Sequence, residues 1–200
     1  FSSSPASGRR PAITVRRMAE GLVSRHLHDR IRAGDTLGAK DPSGQFTIAT
    51  NPARPRTIAF VAGGVGITPL ISLAETLLRE EPQSRAVLLC GNRCEEEIIF
   101  RERLAALEAE FASRLVVQHA LDQPPTNWNG VTGALDGART LQLLGTTDAD
   151  AYYVCGPEAM MTDVCSALAG AGVARDRVRT ERFAYASVTT TRIPTHSAEV

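Results

Sequence analysis

An uninterrupted apolar stretch at residues 57–62, followed at once by a glycine-rich loop, constrains the fold of this chain more than any other feature. The stretch reads Thr-Ile-Ala-Phe-Val-Ala, without the polar alternation of a half-exposed strand. This pattern is typical of a strand buried on both faces, as in a parallel sheet covered by helices. The loop then leads into a predicted helix over 69–79, with Thr68 as the expected cap and Pro69 in the first turn.

The alternation of strand and helix continues from this unit to residue 180. Four more runs rich in apolar and β-branched residues are predicted strands: 86–90, 115–119, 151–155 and 178–180. Three further segments with helical spacing lie between them: 96–110, 138–144 and 158–170. Such alternation implies right-handed crossovers and a parallel sheet. We therefore expect an α/β domain with a doubly wound parallel sheet over 54–183.

The first 53 residues have a different texture. Short β-branched runs predict strands at 13–18, 36–40 and 45–48, and apolar residues at helical spacing predict a helix over 22–31. A proline-rich joint near residue 53 separates this part from the α/β domain. After residue 183 the chain becomes rich in Ser, Thr and Pro, so 184–200 is expected to be a linker.

Composition excludes several classes of function. Lys and Arg together number 22, as do Asp and Glu, so the zero net charge argues against a nucleic-acid-binding protein. No apolar run approaches the roughly 20 residues of a membrane span, and no signal peptide is visible at the start. The four cysteines lack the spacing of a zinc site, which predicts free thiols, no metal site and a cytoplasmic location.

Three loops at predicted strand ends carry residues suited to a nucleotide. Glycines at 63, 64 and 66 allow backbone N–H groups to approach a pyrophosphate, and Cys155-Gly156-Pro157 forms a second small-residue loop. Arg93, in the third loop, suits a 2′-phosphate and therefore NADPH, with NADH also possible. Taken singly, a glycine turn without a ligand, a structural cysteine and a surface arginine are the simpler interpretations.

In this order the three loops resemble the ferredoxin–NADP reductase superfamily, in particular the subgroup of the phenylacetyl-CoA epoxidase reductase component and the Rieske-oxygenase reductases. The resemblance covers residues 1–183 and includes the stretch from Gly91-Asn92-Arg93 to Leu104. It implies that residues 1–53 are the C-terminal part of an antiparallel flavin-binding β-barrel. We therefore expect the chain to be a piece of a longer protein, in which the stacking tyrosine of the flavin site precedes Phe1.

The resemblance also implies which residues contact cofactors. Those expected to bind FAD are Ser2, Ser3, Val15, Arg16, Gly21, Leu22, Val23 and Ser24. Those expected to bind NADPH are Gly63, Gly64, Gly66, Thr68, Asn92, Arg93, Arg101, Cys155, Gly156 and Pro157. Those expected to lie beside the reacting rings, in the catalytic group, are Cys155, Glu181 and Phe183.

The implied activity is hydride transfer from NADPH to FAD, followed by single-electron release to an iron–sulfur centre. The ending His196–Val200 resembles the entry to a [2Fe–2S] ferredoxin domain, whose cluster cysteines this chain lacks. The expected partner is such a ferredoxin-like domain or an oxygenase component. Two alternatives remain open: a non-enzymatic NAD(P)-binding module, and the reductase half of a flavohaemoglobin.

Overall fold

The computed structural model describes residues 1–183 and consists of a parallel sheet with helices on both faces. The six strands are β1 Thr57–Gly63, β2 Arg85–Asn92, β3 Leu115–Leu121, β4 Val131–Thr132, β5 Ala151–Cys155 and β6 Val178–Glu181. The five helices are α1 Leu22–Asp29, α2 Ile67–Glu80, α3 Arg101–Glu110, α4 Gly137–Leu144 and α5 Glu158–Gly170. Short 3₁₀ turns lie at Pro5–Ser7, Gly64–Gly66, Glu95–Glu97 and Arg175–Arg177. The α/β fold predicted for 54–183 is therefore confirmed.

The order of strands in the sheet is β4-β3-β2-β1-β5-β6, and every pair is parallel. The chain leaves β1 towards β2 and later returns to pair β5 with the opposite edge of β1. In open parallel sheets a ligand crevice forms at such a reversal, beyond the carboxyl ends of the strands. The topology thus places a crevice after β1, β2 and β5.

The central strand β1 is buried on both faces, which explains its uninterrupted apolar sequence. Ile58 and Phe60 pack with residues of α2 and α3 on one face. Ala59 and Val61 pack with α5 and partly buried residues of α4 on the other. All four side chains are 0% exposed, so both helix layers are anchored to the strand that precedes the glycine loop.

The predicted barrel strands are not present in the structure. Within the described residues, no strand lies outside the six-stranded sheet, and segments 13–18, 36–40 and 45–48 make no ladder. Ile13 and Leu37 are 64% and 51% exposed. A strand exists only through hydrogen bonds to a partner strand, and no such partner occurs in residues 1–53. The predicted helix over 22–31 is confirmed as α1.

Two predictions of where helices and strands lie in the α/β domain were wrong. The helix expected to begin at residue 96 begins at Arg101, because Phe100 adopts a left-handed conformation with φ of 62° that interrupts it. The two-residue strand β4 lies in a loop rich in Pro, Asn and Gly, where no strand was expected. The predicted linker 184–200 and the ending His196–Val200 lie outside the described residues.

Among residues 1–183, no helix combines the length and the apolar character needed to cross a bilayer.

Candidate functional site

The glycine loop turns directly from β1 into α2, and two of its glycines make a close approach to the β5 loop. A Cβ atom on Gly66 would lie 2.0 Å from the carbonyl oxygen of Cys155, and one on Gly63 would lie 2.6 Å from Cδ of Pro157. Any side chain at these positions would push the two loops apart. The helix begins at Ile67 with Gly66 as its N-cap, so the prediction that Thr68 caps it was wrong.

Gly64 faces the other way, into open space. Its φ of +50° is in the left-handed region that favours glycine, and a Cβ atom placed there would meet no atom within 4 Å. The loop therefore presents bare backbone to the crevice. A larger side chain at Gly64 would occupy the volume that a ligand needs.

A cavity of about 1090 Å³ opens beyond the carboxyl ends of β1 and β2. It is large enough for a dinucleotide-sized ligand, given the usual range of ligand pockets. Seven of the predicted site residues line it: Val15, Arg16, Gly63, Gly64, Asn92, Arg93 and Pro157. The segment Thr14–Arg16 thus forms part of the wall of the cavity, as does the glycine loop.

The other predicted site residues lie outside this lining. Thr68 is 6% exposed within the first turn of α2, and Gly66 and Gly156 are packed where the two loops meet. Arg101 is at the start of α3 and pairs with Glu95. A second hollow lies beside α1 and is lined by Gly21 and Leu22, and the next residues of that helix are Val23 and Ser24.

Ser2 and Ser3 are 2% and 8% exposed, and they face the interior rather than the cavity. The Ser2 N–H donates to the carbonyl oxygen of Ala12 at 2.8 Å, and the Ala12 N–H donates to Oγ of Ser3 at 2.8 Å. Their polar atoms are therefore already engaged within the chain.

Cys155 is 0% exposed at the end of β5, where it pairs in register with Glu181 of β6. Burial, and secondarily the Glu181 carboxylate, raises the pKa of the Cys155 thiol to about 12. The thiol is therefore neutral at physiological pH, and it offers a small, soft side chain instead of a nucleophile. Phe183 follows β6 and is 42% exposed, so its ring is free to contact another group.

Arg93 and Arg101 already hold carboxylates. Nε and Nη2 of Arg93 bond to Oε1 of Glu97 at 3.0 and 2.5 Å, and this contact raises the pKa of Arg93. Arg101 pairs with Glu95. Both partners come from the 3₁₀ turn Glu95–Glu97, so an incoming phosphate would compete with them.

Several acidic residues that sequence reasoning missed also line the cavity: Glu96, Glu97, Asp122, Asp136 and Asp163. Two of them have structural tasks. Asp136 caps α4 by accepting from the Arg139 N–H at 2.7 Å, and Asp163 accepts from the Gly137 N–H at 2.7 Å. Asp122 follows the carboxyl end of β3, and this position at a strand end was the feature of the sequence that could have identified it as a site residue. Among residues 1–183, no cluster of three His, Cys, Asp or Glu side chains is arranged for a metal ion.

Comparison with known proteins assigns the chain to a family. Residues 60–166 match the family model described as the oxidoreductase NAD-binding domain. The chain is a member of this family. The matched range begins in β1 and ends in α5, so it contains the glycine loop, the Arg93 loop and the Cys155 loop.

Curated relatives extend the match to the superfamily proposed from the three loops. A component of the 1,2-phenylacetyl-CoA epoxidase from Escherichia coli is 32% identical over 177 residues, which are 86% of this chain and 49% of that protein. Ferredoxin–NADP reductase B from Sorangium cellulosum is 33% identical over 92% of this chain and 76% of its own length. The ferredoxin–NADP reductase resemblance is therefore confirmed. The chain spans about half the length of several curated relatives that it matches.

A solved structure shows the same fold. The ferredoxin NADP⁺ reductase from Neisseria gonorrhoeae, with bound FAD and NADP, superposes with a TM-score of 0.64 at 22% identity. The superposition covers 83% of this chain and 71% of that one.

The residues of this family member suit both cofactors, although in different ways. The open side of Gly64 and its positive φ suit a pyrophosphate that lies against the backbone. The N-cap of α1 is Gly21, which provides no capping side chain. The next two residues, Leu22 and Val23, are 79% and 68% exposed. The first-turn N–H groups of α1 are thus available to an anion. The Ser24 hydroxyl is engaged, because it accepts from the Met18 N–H at 3.2 Å.

Proposed function

We propose that this chain is the nucleotide-binding part of a flavin-dependent NADPH reductase that passes electrons through FAD to an iron–sulfur centre or ferredoxin serving an oxygenase. One observation carries the proposal. The cavity beyond β1 is lined both by Gly63 and Gly64 of the glycine loop and by Thr14–Arg16, the segment expected to hold the flavin. A nicotinamide bound against the loop would therefore lie next to the flavin-binding segment.

The chain's own residues would bind and orient the coenzyme. Gly63 and Gly64, which line the cavity, would present backbone to the pyrophosphate, and Gly66 would let the two loops meet closely. The positive end of α2 would add to the attraction. Asn92, Arg93 and Arg101 would hold the adenosine ribose and its 2′-phosphate. No side chain needs to act as a general base, since a hydride moves directly between rings held in contact.

FAD would be held by Arg16 and by the first turn of α1, from Gly21 to Ser24. When bound, FAD accepts a hydride and releases electrons singly, which the protein's side chains cannot do. Cys155 and Gly156 would leave room beside the nicotinamide, while Phe183 would cover the flavin and exclude water. The Cys155 thiol remains protonated in this arrangement, because burial raises its pKa.

The proposed electron acceptor follows from the relatives of this chain. Relatives named as reductase components of a ketosteroid monooxygenase and as part of phenylacetyl-CoA epoxidase support an oxygenase system. We propose that residues 1–53 complete a flavin barrel with sequence upstream, and that 184–200 links to a [2Fe–2S] domain in the cytoplasm. The matched relatives are about twice as long as this chain, which leaves room for both.

The test is NADPH oxidation by the full-length flavoprotein with ferricyanide as acceptor, in wild type and a Gly64→Ala variant. We expect turnover in wild type and a KM for NADPH raised about tenfold in the variant, because the new methyl group blocks the backbone. Gly145→Ala is the matched control: its φ is +67° and a Cβ there also meets nothing within 4 Å. Equal losses in both variants would contradict the assignment of the loop, and NADPH binding without turnover would favour the non-enzymatic alternative.

A further inference from the structure

The three serines at the start of the chain are the most deeply buried part of residues 1–53. Ser2, Ser3 and Ser4 are 2%, 8% and 1% exposed, whereas every other residue of 1–53 is at least partly exposed. Polar residues are rarely buried unless their groups are bonded. The partners of these serines therefore show what the segment is attached to.

The first partners are on one face of α2. The Ser72 hydroxyl donates to the carbonyl oxygen of Ser3 at 2.8 Å, and the hydroxyls of Ser4 and Thr76 are 2.8 Å apart. Ser72 and Thr76 are one helical turn apart and are 7% and 9% exposed. Helix α2 thus binds both the backbone and a side chain of the segment.

An ion pair between a buried carboxylate of α2 and an arginine of α3 makes the third attachment. Glu75 is 0% exposed, and its Oε2 lies 2.6 Å from Nη2 of Arg103 in α3. The other terminal nitrogen of Arg103 donates to the carbonyl oxygen of Ser2 at 2.6 Å. One guanidinium therefore joins the helix carboxylate to the segment's backbone, a geometry that the single ammonium of lysine cannot reproduce.

The segment in turn fixes the wall of the cavity. Ser2 and Ser3 exchange hydrogen bonds with Ala12, and the Thr14 hydroxyl donates to Oγ of Ser2 at 2.8 Å. Thr14 is itself a cavity-lining residue, next to Val15 and Arg16. A continuous chain of hydrogen bonds thus runs from α2 and α3 to the flavin side of the cavity.

We propose that Ser72, Glu75 and Arg103 form a serine latch, which holds Ser2–Ser4 on the nucleotide-binding domain and so sets the spacing between the wall 14–16 and the glycine loop. These are positioning residues, since none of them lines the cavity. The consequence of the latch, a fixed distance between the two rings, rests on the proposed function. The attachment of Ser2–Ser4 does not depend on that function. A misplacement of about 1 Å can slow a reaction strongly while leaving binding unchanged.

The attachment is tested by amide hydrogen exchange in the 200-residue chain, with Ser72→Ala and Arg103→Lys as variants. We expect exchange in residues 2–14 to rise about tenfold in each, because local opening becomes easier. Glu110→Gln is the matched control: Glu110 bonds to Arg79, the other partner of Glu75, and is away from the serines. Ser72→Ala removes only one hydroxyl, so the test keeps a folded variant even if Arg103→Lys unfolds.

The consequence is tested by rapid anaerobic mixing of the full-length flavoprotein with NADPH. The latch variants should reduce flavin about tenfold more slowly at saturating NADPH, with the Kd for NADP⁺ within about twofold of wild type. Unchanged exchange would show that no latch exists, and faster exchange with an unchanged reduction rate would show that it does not position the rings. A wild-type protein that never reduces flavin would contradict the proposed function instead, and the exchange result would still decide the attachment.

Discussion

Arg93 is the residue on which the proposed choice of coenzyme depends. It lines the cavity after β2, yet its side chain is 63% exposed and its guanidinium is held by Glu97. Arg93→Ala should raise the Kd for NADPH about tenfold more than that for NADH, since only NADPH has the 2′-phosphate. Arg85→Ala, at the far end of the same strand, is the control for a lost surface charge. Equal weakening of both coenzymes would contradict the assignment.

Glu97 should have the opposite effect. Because it occupies the Arg93 guanidinium, Glu97→Gln should release that group and improve NADPH binding by about threefold, with NADH unchanged. Isothermal titration with the two reduced coenzymes measures the difference, with Glu102→Gln in the first turn of α3 as the control. Weaker NADPH binding in Glu97→Gln would show that the carboxylate itself contacts the coenzyme.

The cysteines make a prediction that depends on pH. Burial raises the pKa of Cys155 to about 12 and that of Cys90 to about 12, so both thiols stay protonated well above neutral pH. Iodoacetamide reacts with the thiolate. At about pH 8, below the ordinary thiol pKa, we expect mass spectrometry to find label on the partly exposed Cys94 and Cys165 first, and on Cys155 only after unfolding. Rapid labelling of Cys155 in the folded chain would contradict its burial.

One ion pair joins the proline-rich joint to the end of α2. The side chain of Glu81 is 1% exposed, and its carboxylate accepts hydrogen bonds from Nε and Nη2 of Arg56 at 3.0 and 2.6 Å. Burial alone would raise the pKa of Glu81, but hydrogen bonds from Arg56, Ser84 and the Asn51 N–H hold it below the ordinary 4.5. The ion pair therefore stabilises the folded chain when Glu81 is ionised.

The sign of this shift gives a pH dependence. A carboxylate whose pKa is lower in the folded state stabilises at pH above 4.5, and that stabilisation is lost as the pH falls through the folded-state pKa. Glu81→Gln should lower the free energy of unfolding at neutral pH by about 3 kcal/mol, and the deficit should shrink in acid. Urea unfolding at several pH values measures it, with the exposed neighbour Glu80→Gln as control. A deficit that is constant with pH would exclude ionisation as its cause.

The elements also show where sequence reasoning works. The uninterrupted apolar sequence of β1 correctly predicted a strand buried on both faces, because each face of this strand packs against helices. The position of the glycine loop after the strand was also predicted correctly. The start of α3 depended on the left-handed Phe100, which no propensity predicts. The strands expected in 1–53 need partners outside that range, and a β-branched pattern alone cannot supply them.

For the whole molecule, the sequence located the loops of the site but not the contacts between them. Gly64, Arg93 and Pro157 were recognisable at strand ends, because parallel strands bring those ends together. The burial of Ser2–Ser4 arises instead from packing across long sequence distances, and the occupation of Arg93 by Glu97 depends on the turn that precedes α3. Such contacts depend on the assembled fold.

We propose that the cavity brings a nicotinamide against the segment 14–16 that is expected to hold the flavin. The most direct measurement is the transfer of deuterium from C4-labelled NADPH, followed under anaerobic conditions in the full-length flavoprotein. We predict flavin bleaching with a primary isotope effect, as expected when hydride passes directly between the rings. Flavin that bleaches only with another reductant, while NADPH binds, would contradict the proposed placement of the nicotinamide against the flavin.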